Sequence, residues 1–101
     1  MKEPDQIGTM LELRVEIDAL DEQIVELLAR RTRYIARAAQ LKQGEKLPAR
    51  IPERVEDVVA KVCAKAEVAG LDPGLAERLW REMIEHFIAQ EEQVLGKGDP
   101  A

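Results

Sequence analysis

Residues 10–43 read MLELRVEIDALDEQIVELLARRTRYIARAAQLKQ, a run without a single Gly or Pro. Within it Leu13, Ile17, Leu20, Ile24 and Leu27 recur in alternating steps of four and three, the beat of a helical packing seam. The same beat then lands on Arg31, Tyr34, Ala38 and Leu41. The stretch predicts one long helix, ended by Gly44 and Pro48, with Gln43–Arg50 as a polar loop. At ~1.5 Å per residue it makes a rod of about 50 Å, longer than a small domain is wide. Two shorter helices cannot cover such a rod. Packing the long helices of two copies together keeps the seam dry, so a homodimer is expected.

Two further helices follow from their end signals. Pro52 suits a first helical turn, where its missing N–H costs nothing, and Glu53 complements the dipole. Val55, Val58, Val59, Val62, Cys63 and Ala66 form an apolar face, and Gly70 is a natural stop. Asp72 with Pro73 reads as an N-cap followed by Pro at the first position. The third helix extends to about Leu95, packing through Leu75, Leu79, Trp80, Met83, Ile84, Phe87 and Ile88. The expected class is all-α: a segment 1–9, a helical domain 10–95 and a flexible tail 96–101. With no Ser, no Asn, and Thr only at positions 9 and 32, hairpin and strand signals are scarce.

Charge narrows the ligand. The chain carries a net −5, which argues against nucleic acid. Yet Arg30 to Arg54 holds eight basic residues and two acids, a local +6. An acidic chain with one basic segment suits a small anion. Met1–Gln6 has no apolar core of a signal peptide, and no run approaches a membrane span, so a cytoplasmic protein is expected. The single Cys63 sits among valines and reads as core. No metal-ligand spacing is visible around His86, and no Ser exists to act as nucleophile. Neither metal nor cofactor is expected.

Arg31 occupies a seam position that Leu and Ile fill before it. Either its stem is buried with the guanidinium in water, or it lines a cavity and meets an anion, because an unpaired buried charge is costly. Lys42, eleven residues on, returns to within about 20° of the same face, which favours the second reading. Arg14 lies about 100° away and ~25 Å along the helix; either it is an ordinary solvated residue after Leu13, or it reaches that ligand from an antiparallel partner helix. On the third helix, Gln90 and Glu91 both prolong the apolar stripe, and periodicity leaves open which points inward.

Taken in order, Leu13-Arg14, Glu16-Ile17-Asp18, Leu20-Asp21, Ile24-Val25, Leu27-Leu28, Arg30-Arg31 and Lys42 resemble the first-helix signature of the all-α chorismate mutases. Pro52-Glu53-Arg54-Val55, Gly70-Leu71-Asp72-Pro73 and Met83-Ile84-Glu85 with Phe87-Ile88 continue it, over roughly residues 11–93. The resemblance implies an intertwined homodimer of three-helix subunits, each site completed by Arg14 of the other subunit. It further implies that Arg31 and Arg54 grip substrate carboxylates and that Lys42 donates to the ether oxygen. Counting from Trp80, the second ether-oxygen donor falls on Glu91 rather than Gln90. Members rearrange chorismate to prephenate on the route to aromatic amino acids. A sister group, the isochorismate pyruvate-lyases, makes salicylate and pyruvate. Both reactions are pericyclic and need neither nucleophile nor metal.

Two positions depart from the usual mutase pattern. Ile51 and Val55 stand where acids that bind the ring hydroxyl are expected, so substrate recognition through Val55 differs. Pro52-Glu53-Arg54-Val55 and the Arg31 to Tyr34 spacing look closer to the lyase branch, whereas Glu91 replaces that branch's Gln. These residues together point first to a chorismate mutase, second to the lyase and third to a non-catalytic helical dimer.

Overall fold

The computed structural model describes residues 2–96. It contains a short 3-10 turn at Pro4–Gln6 and three α-helices: α1 (Met10–Glu45), α2 (Pro52–Ala69) and α3 (Pro73–Leu95). Among the described residues there is no strand, as the all-α reading requires. Of the expected tail 96–101, Gly96 caps α3, its N–H donating to the Glu92 carbonyl at 2.8 Å, and residues 97–101 lie outside the described residues. The chain forms two compact units, Met1–Ala36 and Arg37–Ala101.

In the first unit, Gln6 Oε1 accepts from the Glu3 N–H at 3.1 Å and closes a capping box around the 3-10 turn. Thr9 then opens α1: its hydroxyl accepts from the Glu12 N–H at 3.2 Å, satisfying one orphan donor of the first turn. The helix is continuous through the whole predicted stretch. None of its described residues is buried. Ile17, Leu20 and Ile24 are exposed, and Leu27 keeps 62% of its surface. The seam that periodicity marked is therefore an apolar face that the first unit does not cover.

In the second unit α1 ends two residues later than predicted. Gly44 is helical, and the chain turns at Lys46, which takes the left-handed conformation (φ 60). The Leu47 N–H reaches back to the Lys42 carbonyl at 2.8 Å and the Lys46 N–H to that of Gln43 at 3.3 Å. These bonds satisfy carbonyls that the last turn leaves open, the service a C-terminal Gly usually provides.

The other two helices begin and end where their signals place them. Gly70 adopts φ 81, which an L side chain tolerates poorly, and its N–H and that of Leu71 cap α2. Asp72 Oδ1 accepts from the Gly74 N–H at 2.9 Å and caps α3. The links Glu56–Arg81 and Cys63–Pro73 pair ascending with descending numbers, so α2 and α3 form an antiparallel helical hairpin. Its core holds Val59 and Ala66 from α2, Ala76 and Ile88 from α3, and Ala49 from the preceding loop. Leu75 and Leu79, expected in the packed stripe, are exposed instead. The packed line runs through Ala76, Trp80, Met83 or Ile84, Phe87 and Ile88, and these two leucines lie one position off it.

Candidate functional site

The packed line of α3 ends on a carboxylate. Glu91 is 6% exposed, the one charged side chain in the buried set of the described residues. Burying a carboxylate away from water costs several kcal/mol unless it is paired. The partner is Lys42, whose Nζ donates to Glu91 Oε2 at 2.7 Å. The same ammonium donates to the Ala49 carbonyl at 2.8 Å. A lysine ammonium has three donors and no acceptor. With two engaged, one remains to offer an incoming oxygen.

The sequence left Gln90 and Glu91 as alternatives, and the structure separates them. Gln90 is exposed and faces His86, its Nε2 lying 3.4 Å from the ring Nε2. Glu91 turns inward, one helical turn beyond Phe87. Gln90, one of the two candidates on that stripe, is thus not brought to Lys42. Val55 is half-buried in the first turn of α2, its N–H donating to the Ile51 carbonyl at 3.1 Å. Arg54 is exposed and donates to Asp57 Oδ2 at 2.6 Å. Such an exposed pair contributes little to stability. Arg14 and Arg31 belong to the first unit. Arg14 is exposed and Arg31 half-buried. Cys63 is half-buried, its Sγ 3.7 Å from the Pro73 carbonyl, in keeping with a packing role.

Two features of this region have no signal in the sequence periodicity. One is the Ala49 carbonyl, since nothing in a polar loop marks which peptide oxygen meets a lysine. The other is Arg50, which clasps Glu85 through two parallel bonds, Nη1 to Oε1 at 2.8 Å and Nη2 to Oε2 at 2.6 Å. Such bidentate pairs fix geometry as well as charge. Beside Lys42, a cavity of about 380 Å³ opens between the end of α1 and the end of α3. Lys46, Leu47, Pro48, Val94 and Leu95 are among the residues lining it.

A family model described as Chorismate mutase type II matches residues 13–92. The chain belongs to that family. Among its relatives is an isochorismate pyruvate lyase of Pseudomonas aeruginosa, 35% identical over 92 residues, which span 90% of this chain and 89% of that protein. A chorismate mutase of Methanocaldococcus jannaschii is 29% identical over 92 residues, covering 88% of this chain and 90% of the relative. A bifunctional chorismate mutase/prephenate dehydratase of Aquifex aeolicus is 33% identical over 86 residues, but the chain spans only 24% of its length. Family membership and the three-helix fold thus agree with the resemblance read from the sequence. Among the described residues, no helix is long and apolar enough to cross a membrane.

Three surface carboxyls are held below their ordinary range. Hydrogen bonds from Arg81 do this for Glu56, those from Lys61 and then Arg54 for Asp57, and those from Arg50 for Glu85. A depressed carboxyl stabilises the fold above its unfolded pKa and loses that contribution as pH falls through its folded one. The thermal midpoint is therefore expected to decline below about pH 4.5. The decline should be shallower in a Glu56→Gln/Glu85→Gln variant, followed by circular dichroism. An identical decline in the two proteins contradicts this assignment.

Proposed function

We propose that the chain catalyses the rearrangement of chorismate to prephenate, and that the observation carrying this is the convergence of Lys42 and Glu91. In this [3,3] shift the ether C–O bond breaks while a C–C bond forms, and negative charge grows on the departing oxygen. Donors already aimed at that oxygen lower the barrier without reorganising. Lys42 is one such donor. Glu91, 2.7 Å from it, is the second when its carboxyl carries a proton. Arg31 and Arg54 bind the two carboxylates and fold the flexible dianion into its reactive conformer. No nucleophile is required.

The site is completed by a second copy. The uncovered apolar face of α1, with Leu27 62% exposed, supports pairing of long helices, and Arg14 is the cation an antiparallel partner brings. This assigns Arg14 a role across the interface. Mixing inactive Arg14→Ala and Lys42→Ala chains, with subunit exchange, should restore turnover, because one of the two sites in each mixed dimer regains every group. A mixture that stays inactive despite exchange rules out the shared site.

An ionised carboxylate only accepts, whereas an amide carries two N–H donors, so Glu91→Gln should raise kcat/KM for chorismate near neutral pH. A rate unchanged by the substitution removes Glu91 from the role. The lyase reading has its own support in the 35% identity to the Pseudomonas aeruginosa lyase and in Pro52-Glu53-Arg54-Val55. An NMR product assay with both substrates side by side decides between them: prephenate supports the mutase, and salicylate from isochorismate supports the lyase. Turnover of neither leaves a non-catalytic helical dimer.

A further inference from the structure

The contacts around Lys42 close into a ring. Lys42 touches Glu91 of α3 and the Ala49 carbonyl of the loop. The next loop residue, Arg50, grips Glu85, which is again on α3. Glu85 and Glu91 are six residues apart, about 9 Å along one rigid helix. A stretch of loop is thereby fastened to α3 at one point and to the lysine at the next. Ala49 itself is 2% exposed, so the segment is seated as well as tied.

We infer that the Arg50–Glu85 clasp is a positioning device for the site: it sets the Ala49 carbonyl and, through it, the direction in which the Lys42 ammonium presents its remaining donor. This rests on the role of Lys42 proposed above. The physical argument is one of competing acceptors. Glu91 is charged and the Ala49 carbonyl is neutral, so the ammonium is drawn more strongly to Glu91. A carbonyl held in place by the clasp opposes that pull and keeps the three donors splayed. Released from Glu85, the Ala49–Ile51 segment gains freedom, the carbonyl retreats, and the ammonium swings toward Glu91. The third donor then misses the ether oxygen. The two parallel bonds that hold the Arg50 guanidinium both come from Glu85.

Both members of the clasp are exposed to solvent, and exposed pairs contribute little to global stability. Position and stability can therefore be separated by experiment. In Arg50→Gln and in Glu85→Gln, kcat should fall about tenfold while KM moves by less than about twofold, as expected when a donor is misaimed rather than lost. The thermal midpoint should stay near that of the wild type. The exchanged pair, Arg50→Glu/Glu85→Arg, should recover most of the loss. A second readout does not depend on turnover: in 15N-lysine-labelled protein, the Lys42 Nζ resonance should shift in each single variant and return in the exchanged pair. An unmoved resonance with kcat within about twofold of wild type overturns the inference, as does an exchanged pair that recovers neither readout. A wild type that converts neither chorismate nor isochorismate, but whose Nζ resonance moves and returns as stated, overturns the proposed reaction and leaves the clasp standing.

Discussion

A buried carboxylate must find a cation, and in this chain that requirement joins the end of α1 to α3. Glu91 closes the packed stripe of α3, where every preceding position is apolar. Left alone there it would weaken the fold. Lys42 supplies the cation, and the distance of 2.7 Å with side-chain exposures of 20% and 7% places the pair at the edge of the interior. A core made for stability alone would favour apolar residues at such positions, because hydrophobic replacements of buried ion pairs are often as stable or more so. The retained pair makes sense as a site held together before its ligand arrives.

The loop between α1 and α2 is shaped by the same demand. Lys46 accepts a left-handed backbone so that the chain can turn back. Ala49 is then buried beside Lys42, and Arg50 is carried to Glu85. Pro52 starts α2 immediately afterwards and sets Arg54 and Val55 in its first turn. Local turn chemistry, helix starts and ion pairs together decide where the basic groups of this segment stand. Within the +6 segment seen in the sequence, Lys42, Arg50 and Arg54 are each held by an acid of the same chain.

Most of the architecture was legible from residue pattern. The boundaries of α2 and α3 follow from Pro52, Gly70, Asp72 and Pro73, each of which has one favoured backbone use. The length of α1 follows from its unbroken run. The end of α1 was misplaced because Gly44 is permissive rather than compulsory, and a lysine took the strained position instead. Leu75 and Leu79 were assigned to the core because apolar identity was read without the one-residue offset that decides a helix face. Gln90 against Glu91 could not be settled by period, since both lie within the width of an apolar stripe; burial beside Lys42 separates them. The clasp of Arg50 with Glu85 was illegible, as it joins a loop residue to a helix surface across thirty-five positions.

Lys42 and Glu91 act as one coupled unit within the fold. A double-mutant cycle on unfolding free energy, with Lys42→Met, Glu91→Met and the double variant at one fixed protein concentration, measures that coupling directly. Each single change strands the opposite charge, whereas the double change removes both. The expected coupling is about 2 kcal/mol or more, with the double variant more stable than the sum of the singles implies. Additivity to within about 0.5 kcal/mol would contradict it.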